Sequence, residues 1–341
     1  MATPESSFGF APGRLDAFLR DALADVKGPM RIARIAGGQS NPTFFVDFDN
    51  RALVLRKQPP GELLPSAHAI DREYRVMSAL ASTDVPVPLM VLYHAGRDVV
   101  GTPFYLMEKL DGRVYAQYGL PGVAPAERRA MYESMAQTMA RLHRVDPAQV
   151  GLADFGKPGN YFARQVARWT RQWQSAKTRE NPALERVIEW LPAHIPVGDE
   201  AAICHGDFRM GNLMFHPIEP RVIAVLDWEL ATLGHPLADV AFNCMAWRTL
   251  PSEYGGLLGE DLAALGIPGE DEYLGWYYRH AERTSRVEPF HFAFAMFRFA
   301  VIFEGIAARA AAGNAAADNA REAGELGPAF ARRALDVMNG C

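Results

Sequence analysis

Residues 204–217 read CHGDFRMGNLMFHP, which places His205, Asp207, Arg209 and Asn212 on one glycine-containing stretch. A carboxylate and a carboxamide five positions apart can serve a hydroxyl and a metal ion together. The carboxylate accepts the hydroxyl proton, and the amide oxygen suits Mg²⁺, which takes hard oxygen donors and keeps several waters. The same residue types also build ordinary turns, so the surroundings decide. Fifteen positions after Asn212, Asp227 stands in LDWE, where the apolar run VIAVL (222–226) ends.

Phosphoryl transfer to a hydroxyl asks for these parts: a carboxylate at the hydroxyl, oxygen ligands for Mg²⁺, a cation near the nucleotide phosphates and a loop over them. Protein kinases space the first two as H-R-D-x-x-x-x-N, with a further metal carboxylate downstream. Here His205-Gly206-Asp207 is followed by four residues and then Asn212. On that plan Asp207 is the catalytic base, and Asn212 and Asp227 are the metal ligands. His205 and Arg209 join Asp207 in the catalytic loop, His205 in a structural role through backbone hydrogen bonds. Asp239, in HPLADVAF, would anchor the loop from a following helix, or be an ordinary first-turn aspartate.

The elements that must hold these groups fall into two parts. In the first, FFVDF (44–48) and ALVLRK (52–57) are short runs of β-formers split by Asp49-Asn50-Arg51, a turn signal. IAGGQSNPT (35–43) precedes them as a loop. A helix follows PPGELLPS, with Ala67, Ile70, Tyr74, Met77 and Ala81 as its apolar stripe, and VPVP (85–88) ends it. VLYHA (91–95) and PFYLMEKL (103–110) read as two more strands. Strand, strand, helix, strand, strand predicts a small antiparallel sheet with one helix.

The second part is mainly helical. Residues 125–143 form a helix with Met131, Met135, Met139 and Leu142 inward, and 161–177 and 183–191 are helical too. VIAVL is a buried strand, and from about 270 onward the chain is helical, with a break in RAAAGNAAADNA (309–320). The boundary is placed at Gly112: residues 1–111 as a nucleotide-binding lobe and 112–341 as a lobe with the catalytic loop, metal and acceptor site.

Composition narrows the function classes. With 341 residues, 49% of them hydrophobic, the chain can bury a sizeable core in two domains or lobes. Net charge is -5, without a lysine/arginine block, so nucleic acid is not an expected partner. Three cysteines, Cys204, Cys244 and Cys341, with no CxxC pair argue against a disulfide framework or zinc cluster and fit a cytoplasmic protein. MATPESSFGFAPG is not a secretory signal. The most apolar stretch, 289–313, is interrupted by His291, Arg298, Glu304 and Arg309 and is expected to be a buried helix, not a membrane span.

HGDFRMGNLMF followed by VLDWELATLGHPLADVAF resembles the aminoglycoside phosphotransferase family, relatives of the choline kinases. More narrowly it is similar to the phosphotransferase domain associated with some acyl-CoA dehydrogenases. LRKQPPGELLPSAHAIDREYRVMSAL and GTPFYLMEKLDG fit the same subgroup, and the likeness runs from about residue 30 to 310. It implies an α+β, two-lobed protein-kinase-like fold, with an antiparallel sheet and helix in the N-lobe and a larger helical C-lobe. It implies ATP and Mg²⁺ as cofactors. Asp207 then matches the base, Asn212 and Asp227 the metal ligands, and Arg56 the phosphate-contacting cation. Glu73 matches the helix ion-pair partner of that cation, Gly37, Gly38, Gln39 and Ser40 the loop over the phosphates, and Met107, Glu108 and Leu110 the adenine hinge. The family position usually holds lysine, so Arg56 and Lys57, on opposite faces of one strand, both stay open for the phosphate contact.

An aminoglycoside is a polycation and would ask for an acidic pocket. NYFARQVARWTRQWQSAKTR (160–179) instead carries Arg164, Arg168, Arg171, Lys177 and Arg179 with no acid, opposite an apolar face of Phe162, Val166, Trp169 and Trp173. It reads as a solvated basic face or as a segment near an acceptor site that favours anions. With Arg209 in the loop, the preferred acceptor is a small anionic molecule, a hydroxy acid or hydroxyacyl-CoA. The alternatives are a cationic acceptor such as an aminoglycoside or choline, and a nucleotide-binding pseudokinase. A metal-dependent phosphohydrolase is disfavoured by the lack of an HD dipeptide, and a serine hydrolase by the lack of GxSxG. No membrane partner is expected, and the chain is expected to be a monomer or homodimer.

Overall fold

The computed structural model describes residues 8–35, 41–61, 69–311 and 323–340. Its contacts divide the chain into two units: Met1–Gly112 with Ala224–Glu229, and Arg113–Ile223 with Leu230–Cys341.

The first unit is built on a five-stranded antiparallel sheet. Its strands are β1 (Arg31–Arg34), β2 (Thr43–Asp47), β3 (Ala52–Lys57), β4 (Met90–His94) and β5 (Phe104–Glu108), in the order β1-β2-β3-β5-β4. Asp49–Arg51 turn the β2–β3 hairpin, where Phe48 N–H donates to Arg51 O. Period-two alternation sends Leu53, Leu55 and Lys57 to one face and Val54 and Arg56 to the other. The first face packs with Phe44, Val46, Phe104 and Leu106 against Leu15 and Leu19 of helix α1 (Pro12–Ala22). Helix α2 (Ile70–Leu80) packs on β4 and β5.

Two elements here escape the sequence pattern. β1, RIAR, is an edge strand with little buried surface, so it shows no alternation. α1 buries only two leucines, too few for a stripe. The α2 stripe also differs from expectation. Ile70, Glu73, Val76, Met77 and Leu80 are buried, Tyr74 is half-buried and Ala81 is exposed. Ala67 lies outside the described residues. The buried face includes a carboxylate, which an apolar pattern cannot show.

The second unit carries helices α3 (Pro125–Arg144), α4 (Tyr161–Ala176), α5 (Pro182–Trp190), α6 (Pro236–Arg248), α7 (Leu262–Leu265), α8 (Glu270–Ala281), α9 (Pro289–Ala311) and α10 (Leu326–Met338). Two small sheets follow in the chain: β6 (Arg113–Val114), β8 (Leu213–Phe215) and β9 (Val222–Val225), of which Ala224 and Val225 count with the first unit, and the antiparallel pair β7 (Ala202–Cys204) and β10 (Thr232–Gly234). Met131, Met135, Met139 and Leu142 of α3 are fully buried, as their spacing predicts. α9 is long and apolar enough to cross a membrane, but 83% of its most apolar window is buried against its own fold. It packs on α10, α6 and α4 and is the core helix of this unit. The expected break after 311 lies outside the described residues.

Candidate active site

The stretch 204–217 leaves β7, turns at Gly206, makes a short 3₁₀ turn at Met210–Asn212 and enters β8. Gly206 has φ +82°, and a Cβ there would lie 2.6 Å from the Leu230 carbonyl oxygen, so the position requires glycine. Asp239, in the first turn of α6, fixes the turn. Its Oδ2 accepts the His205 N–H at 2.6 Å and its Oδ1 accepts the Gly206 N–H at 2.9 Å. Burial presses the Asp239 carboxyl upward, but the His143 hydrogen bond and charge, His205 and the Gly206 N–H hold it below the ordinary carboxylate range. The anchoring role of Asp239 is the one its place on a following helix suggested. His205 is fully buried, and its Nδ1 accepts the Asp207 N–H at 3.2 Å.

Asp207 is thereby aimed by its neighbours. Asn212 Nδ2 donates to Asp207 O at 2.9 Å and Oδ2 at 2.7 Å, and Arg209 Nε reaches the same Oδ2 at 3.3 Å. Oδ2 is occupied by two donors, which leaves Oδ1 to accept a proton. Turning Nδ2 inward leaves the Asn212 Oδ1 as a hard oxygen donor. Burial works against the Arg209 charge, but Tyr254, Asp207 and Tyr118 raise its pKa, so it stays protonated. Two supporting residues carried no sequence signal. Asn243, one turn after Asp239, donates to Phe208 O at 2.9 Å, and His143 bridges Asp239 and the Tyr277 hydroxyl. His143, Cys204 and Asp239 bring ligand atoms within 4.8 Å of one another. They are fully buried, both Asp239 oxygens are taken by N–H groups and burial holds the Cys204 thiol protonated, so the cluster braces the loop and is not a metal site.

The first unit assembles its own charged cluster. Arg56 Nη2 donates to Asp227 Oδ1 at 2.6 Å. Its Nε lies 3.0 Å from Glu73 Oε2 as a charge contact without hydrogen-bond alignment, and Glu229 Oε2 stands 3.9 Å from Nη2. Glu73 is 1% exposed and also accepts from Asn41 Nδ2 at 2.7 Å and the Tyr105 hydroxyl at 3.0 Å. Burial pushes the Glu73 carboxyl up to about 7, with Arg56 pulling against it. Burial works against the Arg56 charge, but Glu73, Tyr105, Asp227 and Glu229 raise its pKa above the ordinary value. Lys57 points to the opposite face, where its Nζ donates to Val100 O at 2.6 Å and sits over the Phe10 ring. Between the two cations left open by the sequence, Arg56 is the one beside Glu73 and Asp227. Asp227 has φ +64°, a left-handed conformation that costs a non-glycine residue about 1–3 kcal/mol.

A family model described as "Phosphotransferase enzyme family" matches residues 31–276. The chain belongs to the phosphotransferase enzyme family. It is 45% identical over 94% of its length to acyl-CoA dehydrogenase family member 10 of Mus musculus, covering 30% of that protein. It is 41% identical over 88% of its length to acyl-CoA dehydrogenase family member 11 of Homo sapiens, covering 39% of it. The chain thus spans between about a third and under half of the curated relatives it matches. A crystal structure from Ralstonia eutropha, described provisionally as an aminoglycoside phosphotransferase, superposes with a TM-score of 0.90 at 43% identity, over 97% of this chain and 99% of that one. Aminoglycoside phosphotransferase APH(4)-Ia, in a ternary complex with AMP-PNP and hygromycin B, superposes with a TM-score of 0.60 at 18% identity, over 94% and 98% of the two chains, a likeness of fold.

The protein is therefore a phosphotransferase of the kinase class, with the α+β kinase-like fold that its motifs implied. Other residues matched to the family motifs fare unevenly. Gly37, Gly38, Gln39 and Ser40 lie outside the described residues. Met107 and Glu108 end β5, where the Glu108 N–H already donates to Leu89 O and its carboxylate accepts the Leu89 N–H. Leu110 follows the strand. The basic segment 160–179 is partly occupied. Arg164 donates to Lys157 O and Pro158 O, Lys177 pairs with Glu180 and Glu185, and Arg179 pairs with Glu304 and Glu325. Phe162, Val166 and Trp173 are buried as expected.

Proposed function

We propose that this phosphotransferase moves the γ-phosphoryl group of ATP to the hydroxyl of a small anionic acceptor, a hydroxy acid or hydroxyacyl-CoA. The observation that carries the reading is Asp207, whose Oδ2 is held by Asn212 and Arg209 while Oδ1 remains to take a hydroxyl proton. Asp207 is the base and orients the acceptor. His205 positions Asp207 by accepting the Asp207 backbone N–H at Nδ1, and Arg209 keeps a positive charge where the acceptor arrives. Arg56, buttressed by Glu73, grips nucleotide phosphate as a planar fork. Gly37, Gly38, Gln39 and Ser40 are assigned to the phosphates by the family motif alone. Backbone groups of the Met107, Glu108 and Leu110 segment receive adenine, excluding the Glu108 N–H already spent in the sheet.

Asn212 Oδ1 and the Asp227 carboxylate are hard oxygen donors of the kind Mg²⁺ selects, so the residues fit that ion. When bound, it neutralises charge on the transferring phosphates. The AMP-PNP complex of the fold neighbour supports ATP as donor. The acyl-CoA dehydrogenase names of the relatives support an acyl-type acceptor. Hygromycin B in that neighbour would favour a cationic acceptor instead, but Arg209 beside Asp207 opposes a polycation.

The deciding experiment measures ATP consumption with Mg²⁺ against hydroxy acids, hydroxyacyl-CoAs, choline, sugars and aminoglycosides. Asp207→Asn is expected to abolish transfer and leave Mg–ATP binding nearly intact. Turnover retained in that variant would remove Asp207 as the base, and turnover with the cationic acceptors alone would overturn the anionic reading.

A further inference from the structure

Trp169 of α4 and Arg298 of α9 meet in the second unit, with the Arg298 guanidinium carbon 5.6 Å from the centre of the Trp169 ring. Arg298 is only 9% exposed. Its Nη2 makes one long hydrogen bond, 3.4 Å, to the carbonyl oxygen of Gly206, the residue before Asp207. Among the described residues no ion pair is formed by it, and its Nε is buried without a hydrogen-bond partner. The Trp169 Nε1–H is buried and unpartnered as well. Arg168, exposed on the same helix, brings a second guanidinium to the Trp169 ring at 5.6 Å and pairs with no acid among the described residues.

A buried guanidinium without a counter-charge is costly, and neighbouring orphan donors call for an acceptor. Arg298 and Trp169 each leave an N–H unpartnered, Arg298 also reaches the backbone just before Asp207, and Arg168 brings a second guanidinium to the same ring. On the same stretch Arg164 is held by carbonyls, and Lys177 and Arg179, just past α4, are paired with carboxylates; Arg298 has neither kind of close partner.

We propose that Arg298 and Trp169, with Arg168 at the rim, form an oxyanion subsite for the acceptor, and that Arg298 is a specificity-determining residue of the phosphotransferase. The inference rests on the anionic-acceptor reading and names the groups that would enforce it. The oxyanion is either the carboxylate of a free hydroxy acid or a phosphate of a hydroxyacyl-CoA. An aligned oxyanion satisfies both orphan donors at once, as charge-assisted hydrogen bonds do.

The test compares initial rates with Mg–ATP on 3-hydroxybutyrate, 3-hydroxybutyryl-CoA and the neutral 1,3-butanediol, in the native chain and in Arg298→Met, Arg298→Lys and Trp169→Phe. Arg298→Met should raise the KM of the anionic acceptor by about 10–100-fold, change kcat by less than about threefold, and leave the KM for ATP and the diol rate unchanged. Arg298→Lys should recover part of the loss, and Trp169→Phe, which keeps the ring and removes the N–H, should raise KM by about 3–10-fold. Loss confined to 3-hydroxybutyrate assigns the carboxylate, and loss confined to the thioester assigns the CoA phosphates. Equal effects on acids and diol, or a fall in kcat alone, would make Arg298 a structural brace and overturn the subsite while leaving phosphotransfer intact. Should the native chain consume no ATP with these acceptors, calorimetric titration with inorganic sulfate decides. Binding lost in Arg298→Met but kept in Asp207→Asn sustains the subsite without the kinase reading, and binding absent from the native chain or unchanged in Arg298→Met refutes it.

Discussion

Asp207 and Asp227 are the same functional group set in different company. Asp207 is met by an amide and a guanidinium on one oxygen, which aims the other. Asp227 sits on a strained backbone with Arg56 against Oδ1. A cation arriving at Asp227 must compete with Arg56, and the planar fork can turn to phosphate as it is displaced. Asp227→Ala should therefore weaken Mg-dependent nucleotide binding by at least about tenfold, a loss of roughly 1.4 kcal/mol or more. Calorimetric titration of Mg–ATP measures it, and unchanged affinity would remove Asp227 from the metal site. The sequence makes both aspartates legible because each sits at a fixed spacing within a local motif. Asn41, Asn243, His143 and Arg298 were not legible, because their partners lie 32, 35, 96 and 92 positions away. Long-range pairing leaves no period in a single chain.

At the scale of elements, glycine and ion pairs decide how strands, turns and helices present these groups. Gly206→Ala would place a Cβ in a left-handed turn and against Leu230 O, at a cost of about 2 kcal/mol or more. The Asp239 bonds to the turn would break first, so kcat should fall by more than about tenfold. A variant with native kcat would show that the turn relaxes without moving Asp207. In the first unit, Arg56 ties β3 to α2 through Glu73. Arg56→Met leaves that carboxylate buried without its cation and should destabilise by about 3–5 kcal/mol. The double variant Arg56→Met/Glu73→Gln should regain at least half of this in urea titrations, since the charge requiring compensation is gone. Equal loss in single and double variants would mean that packing, not charge, is what Arg56 contributes. Strands with one buried face and the methionine stripe of α3 are visible in the sequence because burial writes a period there. The edge strand β1 and helix α1 bury too little to do so, and the α2 face was misjudged because its inward residue at Glu73 is charged.

For the molecule as a whole, the longest helix sets a pH limit. α9 buries His291 at 1% exposure, with Nδ1 accepting the Glu288 N–H just ahead of the helix and Nε2 unpartnered among aromatic rings. Burial, with His235 nearby, holds its pKa down at about 4, against 6.5 for an unperturbed histidine. The sign follows from proton counting. Between pH 6.5 and about 4 the unfolded chain binds this proton and the folded chain does not, so stability falls as pH falls through that window and is unaffected above it. From pH 7 to pH 5 this group alone should remove roughly 2 kcal/mol, or about 4–8 °C of Tm for a unit of this size. His291→Gln can keep the reciprocal bond to the Glu288 N–H, since glutamine suits that third helical position, while removing the titration. Its Tm should drop less than that of the native chain over the same interval. The comparison is between slopes, so a uniformly lower Tm in the variant does not disturb it. Parallel losses in the two proteins would place the acid sensitivity on other buried groups, with Glu73 excluded because its raised pKa favours the folded state at low pH.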